Sequence, residues 1–144
     1  MARIRPWNEG DIPHIAGIEK GCFPAPWTEK MLRESFENPS FSCLVAEEEG
    51  RLAGYVTYQQ AQDEIYIANL AVRPEDRRRG IAASLIEKLS ELAAEKGMRG
   101  LTLEVRASNA AARRLYAKMG FIEAGVRRKF YCDEDGVIMW KYLR

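Results

Sequence analysis

At 144 residues, 47% apolar and 30% charged, the chain has the composition of a globular protein and excludes a disordered or fibrous one, so residues 1–144 are expected to form one domain. A net charge of +1 offers no electrostatic drive toward nucleic acid or a membrane surface, both of which call for a basic excess. Three cysteines without CxxC spacing (Cys22, Cys43, Cys132) and a single histidine (His14) make no recognisable zinc site and fit reduced thiols in a cytoplasmic protein, and no apolar run suggests a membrane span or a signal peptide.

The predicted elements alternate along the chain. Arg3 to Pro6 reads as a short edge strand, and Asn8 is placed to cap a helix that turns Ile12, Ile15, Ala16 and Ile18 inward before ending near Gly21. Pro24, Ala25 and Pro26 interrupt the chain. Thr28 is the expected N-cap of a second helix built on Met31, Leu32 and Phe36 and stopped by Asn38 and Pro39. Residues 42–47 and 52–60 predict a hairpin turned at Glu49 and Gly50, and a third strand runs from Glu64 to Val72. Pro74, Glu75 and Asp76 turn the chain into a long amphipathic helix with Ile81, Ala82, Leu85, Ile86, Leu89, Leu92 and Ala93 on one side, ended by Gly97. Residues 101–105 form a fourth strand, with Leu101, Leu103 and Val105 on one face and Thr102 and Glu104 on the other. A short helix capped by Ser108 or Asn109 follows, carrying Ala112, Leu115, Tyr116 and Met119 on one face and ending at Gly120. Residues 121–131 and 137–143 are two final strands joined through Asp133, Glu134, Asp135 and Gly136. This order predicts an α/β fold with a mixed, mostly antiparallel sheet and flanking helices, in which the third and fourth strands form a right-handed βαβ crossover if they are parallel.

The stretch Arg77, Arg78, Arg79, Gly80, Ile81, Ala82 stands between an apolar strand and an amphipathic helix. A helix N-terminus presents unpaired backbone N–H groups and the positive end of the dipole, so it suits a phosphate, and Gly80 lets that phosphate approach the backbone. An ordinary strand-to-helix turn with solvated arginines is the alternative reading. The stretch lacks the GxxxxGK[ST] of a P-loop and the GxGxxG of a dinucleotide fold.

It resembles the Q/R-x-x-G-x-G/A motif of the GNAT family of N-acetyltransferases, with Arg77, Gly80 and Ala82 in the three defined positions. The block LEVRASNAAARRLYAKMGF, from Leu103 to Phe121, is very similar to the corresponding block of the branch of that family that acetylates ribosomal-protein alanine. Pro26-Trp27-Thr28-Glu29 resembles the PWSE of that branch, and Arg127-Arg128-Lys129-Phe130-Tyr131 its RRNYY. The resemblance spans nearly the whole chain. It departs at Arg77, where the branch often has Gln, at Ala82, where Gly is frequent, and at Phe130, where a Tyr hydroxyl is usual.

The resemblance implies the GNAT fold, acetyl-CoA as cosubstrate and no metal. It implies that the CoA pyrophosphate lies on Arg77, Arg78, Arg79, Gly80, Ile81, Ala82 and Ala83, that the backbone of Leu70, Ala71 and Val72 bonds the pantetheine arm like an added strand, and that Asn109 contacts CoA. It further implies Glu104 as proton acceptor and Tyr116 as proton donor to the CoA sulfur. Trp27 and Tyr131 would wall the acceptor cleft. Read without the family, Glu104 is a solvated strand residue, Tyr116 a core aromatic and Asn109 a helix cap.

Transfer of acetyl from a thioester needs a neutral amine, an oxyanion donor and something to quiet the departing thiolate. An α-amine titrates near pH 8, so a usable fraction is neutral at pH 7 and the base need only accept a proton as the C–N bond forms. Full proton transfer from a phenol to a thiolate is uphill by about 2 kcal/mol at their ordinary pKa values, so hydrogen bonding to the developing thiolate describes the Tyr116 role better. The oxyanion donor expected is a backbone N–H near Val72. A cysteine acyl-enzyme is disfavoured because Cys43 and Cys132 have no nearby histidine. The acceptor implied is the N-terminal alanine of a small-subunit ribosomal protein, with no direct contact to nucleic acid or membrane and an oligomeric state that the sequence leaves open. A lysine side chain or small amine as acceptor, or a non-catalytic acyl-CoA-binding module, are the other readings.

Overall fold

The computed structural model describes residues 2–144. Its elements follow the order β1 (Arg3–Pro6), α1 (Ile12–Cys22), α2 (Glu29–Phe36), β2 (Phe41–Glu48), β3 (Arg51–Ala61), β4 (Glu64–Val72), α3 (Ile81–Glu95), β5 (Gly100–Arg106), α4 (Ala110–Lys118), β6 (Ile122–Arg127) and β7 (Gly136–Tyr142). Short 3-10 turns precede α1 and α3. The strands make one seven-stranded sheet in the order β1-β2-β3-β4-β5-β7-β6, antiparallel except where β4 meets β5.

Both faces of the sheet are covered. Against one face α3 buries Ile81, Leu85, Ile86, Leu89 and Ala93 on Leu44, Val56, Ile65, Leu101, Leu103 and Met139, with Tyr116 and Phe121 extending this core under α4. Each of the fully buried leucines and isoleucines there contributes about 1.5–3 kcal/mol by leaving water. On the other face α1 and α2 bring Ile12, Ile15, Ile18 and Leu32 onto Cys43, Val45, Leu52, Tyr55 and Ala71. The central strand β3 is therefore buried on both faces from Leu52 to Tyr58, and its buried Thr57 hydroxyl is satisfied by accepting from the Asn69 backbone N–H at 3.0 Å.

Local chemistry sets the element boundaries. Thr28 accepts a hydrogen bond from the Met31 N–H at 3.2 Å at the start of α2, and Asn109 accepts one from the Ala112 N–H at 3.0 Å at the start of α4. Glu49 and Gly50 both have positive φ in the β2–β3 turn. Gly54 has a packing reason instead: a Cβ there would lie 2.7 Å from the Ala71 carbonyl oxygen of β4.

The last hairpin departs from expectation. β6 stops at Arg127 and not at residue 131, and residues 128–135 form a compact loop. Lys129 and Cys132 adopt positive φ, the Lys129 N–H donates to Asp135 Oδ1 at 2.8 Å, and the Tyr131 N–H donates to the Glu134 carbonyl at 3.1 Å. These bonds fold the chain back on itself and take Phe130 and Tyr131 out of strand pairing. Among the described residues no helix is long and apolar enough to cross a membrane.

Candidate active site

The functional geometry begins where two parallel strands separate. β4 and β5 pair only through Glu64 with Gly100, Ile65 with Leu101 and Tyr66 with Thr102. Beyond Tyr66 they diverge, which leaves the β5-facing edge of β4 open along Leu70, Ala71 and Val72. A bulge at Ala68, where Thr57 pairs with Asn69 and Tyr58 with Ile67, adds to the bend of β4 at this point. The opening is the floor of a cleft of about 630 Å³ lined by Trp27, Tyr66, Asn69, Leu70, Glu104 and Tyr116, among others.

Of the side chains expected at the site, Trp27, Leu70, Glu104, Asn109, Tyr116 and Tyr131 all line this one cleft. Ala71, Val72, Arg77, Arg78, Arg79, Gly80, Ile81, Ala82 and Ala83 lie outside its lining, along β4 and at the start of α3. Gly80 is the N-cap of α3 with φ +78°, so the first turn of that 15-residue helix presents the backbone N–H groups of Ile81, Ala82 and Ala83. The Ile81 side chain belongs to the core, so only its backbone is available to a ligand. Two of the three arginines are already engaged within the protein. Arg77 Nε donates to the Val72 carbonyl at 3.1 Å, and Arg79 pairs with Glu48 at 2.7 Å and Asp76 at 3.1 Å. They shape the turn, and Arg78, with φ +65° and an exposed side chain, stands beside it.

Glu104 points into the cleft from β5, and its side chain is only 5% exposed. The Tyr66 hydroxyl donates to Oε1, and Arg127 Nε donates to Oε2 at 2.8 Å. One lone pair on each carboxylate oxygen remains to accept a proton or a water. The Tyr131 hydroxyl donates to the Glu104 backbone carbonyl at 3.0 Å, and its ring lies under the Arg106 guanidinium at 4.5 Å. Tyr131 thus fixes the 128–135 loop against β5 and offers an acceptor its ring more than its hydroxyl. Phe130, exposed at the cleft edge, makes an edge-to-face contact with it at 4.9 Å.

Tyr116 comes from α4, packed edge-on against Phe121 at 5.4 Å. Burial, with a smaller contribution from Tyr131, pushes its phenol well above its ordinary pKa. The phenol therefore stays protonated, a hydrogen-bond donor and a poor acid. Burial, then the bond to Glu104, pushes the Tyr66 phenol up in the same sense.

The opposite wall hangs on Glu19, whose side chain is buried between α1 and the sheet. Oε1 accepts from the Trp27 N–H at 2.9 Å; Oε2 accepts from the Asn69 amide at 3.0 Å and from the Tyr55 hydroxyl. Trp27 then stacks on Phe41 at 5.4 Å. Sequence reasoning missed Glu19, Tyr66, Asn69 and Arg127. Two hints were visible: a glutamate on the inward stripe of an apolar helix, because buried carboxylates need donors, and Arg127 at the head of the run that resembles RRNYY.

A mixed sheet splayed between its parallel strands, with a buried carboxylate and a tyrosine facing the gap and a helix N-terminus beyond it, defines a class. The model of the acetyltransferase (GNAT) family matches residues 12–121, and the chain belongs to that family. A Bacillus subtilis (strain 168) protein named as a candidate ribosomal protein bS18-alanine N-acetyltransferase is 40% identical over 142 residues, covering 96% of this chain and 94% of the relative. The Escherichia coli (strain K12) ribosomal protein bS18-alanine N-acetyltransferase is 36% identical over 136 residues, covering 94% and 91%. The crystal structure of the E. coli ribosomal-protein-S18-alanine N-acetyltransferase superposes with a TM-score of 0.91 at 34% identity, over 99% of this chain and 94% of that one.

Proposed function

We propose that residues 1–144 act as one acetyltransferase domain that moves acetyl from acetyl-CoA to the N-terminal alanine of ribosomal protein bS18 by direct transfer. The observation that carries the reading is the convergence of Glu104 and Tyr116 on one cleft at the splay of β4 and β5. The names and near full-length coverage of the relatives support the acceptor.

In this reading the pantetheine arm lies along the open edge of β4 at Leu70, Ala71 and Val72, as an added strand would. The Val72 carbonyl is already bonded to Arg77, so Val72 contributes its N–H side, near which the oxyanion forms. The pyrophosphate sits on the N–H groups that open α3, with Arg77, Arg78, Arg79 and Gly80 around it and Asn109 at the far wall. The acceptor N-terminus enters between Trp27 and Tyr131. Its nitrogen attacks the thioester carbonyl, Glu104 accepts the amine proton directly or through water, and Tyr116 hydrogen-bonds to the leaving thiolate. The C–S bond breaks as the amide forms, and the proton released by the amine leaves through Glu104.

The test is a panel of acceptors read by mass spectrometry. An alanine-starting bS18 peptide is expected to outcompete an N-terminally blocked, lysine-containing peptide and a polyamine. Efficient acetylation of the blocked peptide with none at the free alanine would discard the acceptor and leave the transferase.

Gly80→Val tests the cofactor half. The positive φ and the added bulk at the α3 N-terminus are expected to weaken CoA binding at least tenfold, while the fold bears about 1–2 kcal/mol of left-handed strain. Calorimetric titration with CoA reads this, and a folded variant with wild-type affinity would remove the pyrophosphate from that turn.

A further inference from the structure

Glu104 is a carboxylate nearly closed off from solvent, and a single cation balances it. Arg127 lies at the end of β6, 59% exposed, with its Nε 2.8 Å from Glu104 Oε2. The other polar groups facing Glu104 do not supply that charge. Tyr66 on β4 and Tyr131 on the 128–135 loop are phenols whose pKa burial raises, so they stay neutral. Arg106, also on β5, pairs with Asp133 at 2.8 Å and Glu134 at 3.2 Å and lies over the Tyr131 ring. Within hydrogen-bond reach of Glu104 the charge is therefore one carboxylate and one guanidinium, and Glu19, the buried carboxylate of the opposite wall, is held by its own donors at Trp27, Asn69 and Tyr55.

Resting on the acetyltransferase reading above, we infer that Arg127 is a specificity-determining residue: its pairing with Glu104 stops the cleft from selecting protonated amines, so the acceptor enters as the neutral amine. A shielded carboxylate with no partner would draw in any ammonium group, a lysine or a polyamine included. Paired, it presents no net charge to an approaching ammonium. At pH 7 about one α-amine in ten is neutral, against roughly one lysine in 2,500. A cleft that admits only the neutral form thus favours a protein N-terminus by about 250-fold before any contact with the peptide backbone. Glu104 keeps its remaining lone pairs for the proton released in the reaction.

The experiment uses CoA-saturated enzyme at pH 7 and two peptides of one sequence. One begins with alanine and is mostly ammonium; the other begins with lactate, a neutral hydroxyl in the same place. Dissociation constants are measured by calorimetry for wild type, Arg127→Met and Arg127→Lys. Arg127→Met keeps the side-chain bulk without the charge and is expected to shift the ratio toward the ammonium peptide by about tenfold, the scale of one nearby charge in a partly hydrated cleft. Arg127→Lys should stay within about twofold of wild type. In turnover with acetyl-CoA, the Arg127→Met preference for a free N-terminal alanine over a blocked lysine peptide should fall by a similar factor. An unchanged binding ratio in Arg127→Met, or an equal shift in Arg127→Lys, overturns the inference. The wild-type arm separates the two claims. Acetylation of the alanine peptide with no ratio shift in Arg127→Met removes only the role of Arg127, and the expected shift without acetylation removes the transferase reading. Binding of neither peptide to the wild type overturns both.

Discussion

Glu104→Gln is expected to lower acetyl transfer to an α-amine by about 10²- to 10³-fold, the range a positioned general base supplies. The substitution is close to isosteric. The Tyr66 hydroxyl still finds an acceptor, and Arg127, already more than half in water, hydrates when its partner is lost. CoA affinity and melting temperature should therefore stay near wild type, which isolates the effect in the chemical step. Both enzymes need the amine neutral before attack, so their rates should fall together below the amine pKa and the fold deficit should vary little with pH. Tyr116→Phe keeps the ring against Phe121 and loses only the hydroxyl, so a smaller loss of about tenfold is expected, matching a lost hydrogen bond to a charged sulfur and not a lost proton source. Single-turnover rates at saturating substrate check both, and wild-type rates in both variants would sink the proposed chemistry.

Glu19→Ala should be the most damaging single change away from the reacting atoms. Glu19 is 1% exposed and receives three hydrogen bonds, from the Trp27 N–H, the Asn69 amide and the Tyr55 hydroxyl. Removing it leaves the buried Tyr55 hydroxyl and two part-buried donors unpaired and a cavity behind α1, for an expected loss of about 3–5 kcal/mol. In a chain of this length that lowers the melting temperature by roughly 10 °C or more. Trp27 and Asn69 both line the cleft, so the acceptor KM should rise several-fold while CoA affinity moves little. Glu19→Gln can still accept from Trp27 but must turn an amide N–H toward a donor, so an intermediate effect is expected. Thermal melts and peptide KM values decide the matter: a melt within about 2 °C of wild type and an unchanged KM would show that the loop is held some other way.

Much of the architecture was legible because it rests on local rules. The order of strands and helices follows from apolar period, and the helix ends from Thr28, Asn109, Gly97 and Gly120, whose capping and turn chemistry depends on a few neighbouring residues. Family membership was legible from Arg77 to Ala82 and from Leu103 to Phe121, runs whose spacing needs no tertiary information. The end of β6 was not. Residues 128–131 look extended in sequence, and what folds them is a set of bonds to Glu134 and Asp135 made only once the loop closes.

The sequence by itself determined the alternation of elements and the family. Only the tertiary structure decided which groups meet Glu104 and what holds Trp27. Tyr66 lies 38 residues before Glu104, Arg127 lies 23 after it, and Glu19 lies 50 residues before Asn69. Such pairs meet because the sheet sets β4, β5, β7 and β6 side by side and packs α1 across β3 and β4. A polar residue on the open face of a strand is locally the same whether solvent or a partner waits for it, so its role follows from register and packing and from no property of its own segment.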